Sequence, residues 1–255
     1  MIAREIPQFF EGARDCLGSL AQDRAEMFAK EVPRFFEGVR GRLEILTQYR
    51  VEVEAHLARR FSFFHFIDFD ENRISDVFAY LLDPNETHGQ GSLFLGEFLK
   101  DVHVKWLPEG SWSRIRVGRE VPTTRIENWR RIDIEIAFHI DDGWVAIAIE
   151  NKPWDNSTDE PRQLSDYAGH LESMYEGHFK LIYLTPDGKK EPSEASITPE
   201  ERKELEEKDK FAKASIQEWT DGWLKRAEDE VKAERVRWFV SDFRKALIES
   251  LPAEE

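Results

Sequence analysis

The sequence predicts an α/β fold: a sandwich with a small mixed central sheet flanked by helices, preceded by a helical N-terminal extension. Three observations point there. Apolar residues make up 40% of the 255 residues, with 8 Trp and 18 Phe, enough to fill a sizeable core. Helical spacing dominates both ends of the chain, while alternating strands and one intervening helix occupy the middle, an order that builds a layered sandwich. Near the centre, "RRIDIEIAFHIDDGWVAIAIENK" sets two strand-like runs around Asp142-Gly143, a two-residue hairpin signal. Residues 1–60 are expected to form the extension and residues 61–255 the main domain.

The elements follow in order. The first 60 residues contain an echo, "EIPQFFEGAR" (Glu5 to Arg14) and "EVPRFFEGVR" (Glu31 to Arg40). Two copies are too few for a solenoid, so a helical hairpin or antiparallel pair is expected, with Phe-Phe facing inward. It serves either as a dimerisation or docking element for a protein partner or as packing on the body. Ile74, Val77, Phe78, Leu81 and Leu82 recur at helical spacing, and Asp83-Pro84-Asn85 stops that helix. A second helix is expected from Ser92 to Val102, then a strand in "SRIRVGREV", then strands over Arg131 to Ile140 and Trp144 to Lys152. Gln163 to Tyr175 reads as a helix and Phe179 to Pro186 as a short buried strand. The remainder reads as helical: the acidic segment Thr198 to Lys210, then "SIQEWTDGWLKRA", then "RVRWFVSDFRKALIESL".

Composition excludes several functions. The net charge of −15 argues against a generally basic nucleic-acid binder, because phosphate contacts need Lys and Arg. A local basic cleft remains compatible, since a ligand feels the field within about 10 Å. The single cysteine, Cys16, permits neither an intramolecular disulfide nor a cysteine-built zinc cluster. The first residues, MIAREIPQFF, carry charges where a secretory signal needs an apolar run. No stretch reaches bilayer length. A soluble cytoplasmic protein without membrane contact is expected.

The chemistry concentrates at the hairpin. With Asp142-Gly143 as the turn, Asp133 lies opposite Lys152 and Glu135 opposite Glu150. Sorting by parity puts Ile132, Ile134, Ile136, Phe138, Val145, Ile147 and Ile149 on one face. The other face holds Asp133, Glu135, Ala137, Ala146, Ala148, Glu150 and Lys152, with a small apolar middle suited to a close-packed helix. Two carboxylates about 5 Å apart repel by roughly 3 kcal/mol at an effective dielectric of 20. A divalent cation would relieve that, and hard oxygen donors favour Mg²⁺ or Mn²⁺ over Zn²⁺. The other reading is a solvated sheet end with an ordinary salt bridge.

An Asp on one strand and Glu-x-Lys at the end of the next resembles the signature of the PD-(D/E)XK nuclease superfamily, which includes restriction endonucleases and many repair and phage-defence nucleases. Here the signature is Asp133, Glu150 and Lys152, with Ile132 in place of the usual proline. "ENRISDVFAYLLDPNETHG" resembles the opening helix of one branch, and "QLSDY" resembles a Gln-x-x-x-Tyr element that follows the Glu-x-Lys strand. The likeness covers roughly Asp70 to Gly188. It implies a restriction-endonuclease-like fold and metal-assisted phosphodiester hydrolysis, with nucleic acid, DNA first, as partner. Asp133 and Glu150 would hold Mg²⁺ or Mn²⁺ with the carbonyl of Asn151 and with Glu71. Lys152 would orient or help deprotonate the attacking water and stabilise charge on the phosphate. Gln163, Tyr167, His88 and Arg131 are candidate substrate contacts.

Each has a plainer alternative. Glu71 suits a helix N-terminus electrostatically, His88 suits a loop hydrogen bond, and Gln163 and Tyr167 lie four apart on one helical face and can satisfy one another. Glu135 and Glu120 are weaker candidates. The basic set Arg114, Arg116, Arg119, Arg125, Arg130 and Arg131, with Trp112 and Trp129 between, could meet phosphates and bases or pair with the chain's own acids. The competing function is a catalytically silent nuclease-like module that binds or assembles in a multi-protein system.

Overall fold

The computed structural model describes residues 5–58, 61–104, 107, 112–123, 130–141, 143–154 and 156–251; for 5–21, 23–26 and 57 only the backbone is described. The chain divides into two compact units, residues 1–61 and 62–255. The first is one helix, α1 (Glu5–Leu57), rather than the expected hairpin or antiparallel pair. Pro33 is inside it and no chain reversal follows the first repeat copy. Phe35 and Phe36 are 66% and 62% exposed, so the second Phe-Phe pair does not face inward. The first pair and Cys16 fall where side chains are not described.

The second unit is built on one five-stranded sheet in sequence order β1 (Trp112–Pro122), β2 (Arg131–Ile140), β3 (Gly143–Asn151), β4 (Phe179–Thr185) and β5 (Phe211–Ser215). The first three strands are antiparallel, and β4 and β5 then add in parallel. Crossovers through α4 (Gln163–Met174) and α5 (Pro199–Glu207) make that parallel pairing possible. Helices α2 (Glu71–Leu82) and α3 (Leu93–Val102) precede the sheet; α6 (Ile216–Asp221), α7 (Trp223–Glu230) and α8 (Glu234–Ser250) follow it. The strand β5 was not legible: "FAKAS" is five residues with only its end residues buried. The segment expected to be helical over 215–227 is divided at Gly222, where an added Cβ would stand 2.6 Å from the Glu218 carbonyl oxygen.

Two cores sandwich the sheet. Ile134, Ile136, Phe138, Val145, Ile147 and Ile149 pack with Phe78, Phe94, Phe98, Trp219, Trp223 and Phe243 on one side. On the other, Ala137, Ala146 and Ala148 receive Leu164, Tyr167, Ala168 and Leu171 of α4. The small residues allow that close approach, as the face pattern anticipated. Around α5 the charges are solvated, and a capping box from Thr198 and Glu201 supports its N-terminus. Thr198→Ala is expected to cost about 1 kcal/mol, read as a lower urea midpoint with unchanged slope.

The hairpin register differs from expectation by two residues. Ile140 pairs with Gly143 and Ile134 with Ile149, so Glu135 lies opposite Ala148 rather than Glu150. Asp133 is correspondingly displaced from Lys152 toward Glu150. The connection begins at Asp141, whose φ of +45° is tolerated by aspartate in tight turns; Asp142 lies outside the described residues. A second difference follows at Glu120, which has φ +50°. Val117 and Ile134 pack into the first core, yet Val121 and Ile132 pack into the second, although parity places each pair on one face. The left-handed residue lies between Val117 and Val121 on β1. Ile132, paired with Val121, packs with it on the α4 side rather than with Ile134 as expected.

Candidate active site

The site forms where β2 begins and β3 ends, beneath the first turn of α2. Asp70 caps that helix, its Oδ1 accepting from the Arg73 amide at 2.8 Å, which leaves Glu71 in the first turn. Glu150 is buried, and its Oε1 accepts from Lys152 Nζ at 2.7 Å and from Gln163 Nε2 at 2.7 Å. Asp133 Oδ2 accepts from the Asn151 amide at 2.7 Å, which ties the two strand ends together. Lys152 Nζ lies 3.6 Å from Glu71 Oε1. Four charged groups expected from the sequence thus meet at one point.

The electrostatics follow from burial. Desolvation raises the Asp133 carboxyl to about 6, against the Asn151 amide, with the Glu71 charge adding to the rise. Glu150 is pushed well above the usual carboxylate range, first by burial and then by Asp133, against the pull of Lys152. Glu71 is raised by burial against Lys152, and the neighbouring Asp70 and Glu120 charges add to it. For Lys152 burial acts downward, but Glu150, Glu71 and Asp133 outweigh it and hold the ammonium protonated. Three carboxylates around one ammonium leave a net negative cluster in a poorly solvated place, which either takes up protons or attracts a cation.

The donors fit a hard divalent cation. Among the described residues, Glu150 Oε2 and Asn151 Oδ1 are buried without a hydrogen-bond partner. An unpartnered buried carboxylate oxygen is costly unless something binds it. All candidate donors are oxygens, the chemistry of Mg²⁺ and Mn²⁺ sites. Among the described residues no group of three or more His, Cys, Asp and Glu side chains is arranged to hold a metal ion, so the carboxylates of Asp133 and Glu150 need the Asn151 carbonyl or a reoriented Glu71 to complete a coordination sphere.

The remaining candidates divide. Gln163 belongs to the cluster: besides Glu150, its Nε2 faces the Tyr167 hydroxyl at 3.2 Å, and its Oε1 accepts from the Glu160 amide at 3.1 Å. Tyr167 donates to the Arg131 carbonyl and is buried, so it braces the strand end. Arg131 is 65% exposed beside the site and reaches Glu120 at 3.3 Å. His88 is elsewhere. It follows the C-terminal end of α2, roughly 18 Å of helix from Glu71. Its Nδ1 accepts from the Gln90 amide at 3.0 Å, so its Nε2 donates to the Asp83 carbonyl at 2.9 Å. Both ring nitrogens are engaged in the loop. Glu135 bonds the Tyr175 hydroxyl at 2.8 Å, away from the cluster.

The basic set also divides. Arg130 is buried against Asp166 and Glu160 at 2.9 and 2.7 Å, and Arg116 lies 4.3 Å over the Trp144 ring. Trp112 packs on Phe138. Arg125 and Trp129 lie outside the described residues. One contributor was missed in the sequence. Ser75 Oγ meets Asn151 Nδ2 at 3.0 Å; its place four residues after Glu71, on the same helical face, was the available signal. Arg119, a member of the basic set, pairs with the chain's own Asp76 and joins β1 to α2 and to Asp133, a choice of partners that nothing local announces.

In comparison with known proteins, the family model described as PD-(D/E)XK nuclease superfamily matches residues 61–243. No curated protein and no solved structure matches.

Proposed function

The chain belongs to the PD-(D/E)XK nuclease superfamily, and from that premise we propose that it is a divalent-metal-dependent nuclease, with DNA as substrate and Mg²⁺ or Mn²⁺ as cation. The observation that carries this reading is the buried convergence of Asp133, Glu150 and Lys152, with one Glu150 oxygen left without a partner. Asp133, Glu150 and the Asn151 carbonyl would hold the cation, with Glu71 beside them. When bound, such a cation supplies Lewis acidity to the phosphate and a nucleophile near neutral pH. Gln163 and Lys152 both engage Glu150 Oε1, which leaves Oε2 as the donor. Lys152 keeps its proton and can share it with a phosphate oxygen as charge grows there. Arg131, exposed at the rim, suits a backbone phosphate.

Two measurements test this. Purified protein with 5–10 mM Mg²⁺ or Mn²⁺ is expected to cleave single- or double-stranded DNA and to be silenced by EDTA; absence of cleavage of DNA and RNA alike counts against the reading. The same cations are expected to raise the melting temperature of the wild type but not of Asp133→Asn. At tenfold above the dissociation constant the gain is about 1.4 kcal/mol.

A second reading, a module that acts by assembly, draws on α1. Its described part exposes Phe28, Phe35, Leu43, Ile45, Leu46 and Tyr49, apolar surface that a second copy or another protein could cover. It predicts tight association by light scattering with no turnover. Among the described residues no helix is long and apolar enough to cross a membrane; we take the cytoplasm as the site of action.

A further inference from the structure

The first turn of α2 is held from two sides. Arg119, on β1, donates from Nε to Asp76 Oδ1 at 2.9 Å, from one terminal nitrogen to the Asn72 carbonyl at 3.3 Å, and from the other to the Asp133 carbonyl. Opposite, Asn151 Nδ2 donates to Ser75 Oγ at 3.0 Å and to the Glu71 carbonyl at 3.3 Å. Arg119 thus binds the helix to the Asp133 strand, and Asn151 binds it to the Glu150–Lys152 strand. We propose that Arg119 and the Asn151 side chain form a clamp that fixes Glu71 against Asp133, Glu150 and Lys152, so that Arg119 is a positioning residue of the site rather than a substrate contact. This rests on the nuclease reading above.

Glu71 needs such support. First-turn residues lack intrahelical partners for their amides and fray readily. Its carboxylate stands 3.6 Å from Lys152 Nζ, beyond a good hydrogen bond, so the lysine alone does not fix it. Arg119 can do this because a planar guanidinium offers several N–H groups in a rigid fork, here spread over a side-chain carboxylate and two carbonyls. A lysine keeps the charge and cannot span all three. The same bonds argue against Arg119 as a phosphate ligand: its side chain is only 20% exposed and each of its three nitrogens already bonds the protein. Asn151 plays a double part, its backbone facing the metal ligands and its amide reaching the helix.

The test is a cycle of Arg119→Lys, Glu71→Ala and the double variant, read by kcat and KM for DNA cleavage, by Mn²⁺ calorimetry and by amide exchange over residues 71–76. Arg119→Lys is expected to lower kcat about tenfold with KM little changed, and to weaken Mn²⁺ binding by a similar factor, as loss of groups behind metal ligands does. The double variant is expected to be no worse than Glu71→Ala, because one residue acts through the other. Multiplicative losses overturn the proposal, as does a raised KM at unchanged kcat, the mark of a substrate contact. A wild type that neither cleaves nor binds Mn²⁺ overturns the nuclease reading instead. Amide exchange then decides the clamp: a rise of about tenfold in Arg119→Lys supports it, and no change overturns it.

Discussion

Lys152→Ala is expected to lower divalent-dependent cleavage by a factor of about 10²–10⁴, the range over which a positioned proton donor or charge stabiliser acts. Among the described residues the Lys152 ammonium is the one cation paired with the buried Glu150 Oε1, and it lies 3.6 Å from Glu71 Oε1. Alanine removes both the hydrogen on offer to the phosphate and the charge that opposes protonation of Glu150. A stability cost should accompany the loss, since removing one partner of a buried pair leaves the other uncompensated, at about 3–5 kcal/mol before relaxation. Protonation of Glu150 can relieve that cost. The melting temperature of the metal-free variant should therefore fall further below wild type at pH 8 than at pH 5. Measuring cleavage where the variant is demonstrably folded separates chemistry from stability. Activity retained within tenfold of wild type would remove Lys152 from the reaction.

Asp133→Asn should abolish cleavage while making the metal-free protein more stable. Burial raises the Asp133 carboxyl from its usual 3.8 to about 6, and at 1.36 kcal/mol per pH unit that difference is about 3 kcal/mol. The sign is fixed by linkage. The folded state binds this proton more tightly than the unfolded chain, so the penalty is absent below about pH 4, grows as pH rises toward 6 and is complete above it. The advantage of Asp133→Asn over wild type, from urea denaturation in EDTA, should open over that window and reach about 1–3 kcal/mol at pH 7.5. Asparagine retains an oxygen to accept the Asn151 amide, so the geometry survives. Glu150→Gln should behave in the same direction, because its carboxyl is raised for the same reason, burial first and Asp133 second. Sites that spend stability on function show this opposition. A metal-free Asp133→Asn protein that is less stable than wild type at pH 7.5 would show that the acid is an ordinary structural partner. Saturating Mn²⁺ should stabilise the wild type and not the variants.

The convergence of the candidate site's charged groups was legible in part, and the reason is local. Alternation along a strand assigns faces without knowledge of the partner, so Asp133, Glu150 and Lys152 could be placed together from sequence. Glu71 suited a helix N-terminus, and the spacing of Gln163 and Tyr167 put them on one face. His88 shows the opposite outcome. Its residue type suits phosphate contact, but the loop geometry that consumes both ring nitrogens is set by Asp83 and Gln90. The arginines divide for a similar reason: whether a guanidinium meets solvent or an internal acid depends on what packs over it, as Arg130 and Arg131 show from adjacent positions.

By itself the sequence determined the hairpin, the parity of its faces from Ile134 to Ile149 and the identity of the charged cluster, since each depends on periodicity and turn chemistry within a few residues. Tertiary structure alone decided the two-residue register shift, to which alternation is blind because a shift of two leaves every side chain on its own face. It likewise decided the packing of Ile132 on the α4 side, the recruitment of the short strand β5 and the grip of Arg119 on α2. Those features depend on hydrogen bonds between segments far apart in the chain, which no local pattern encodes.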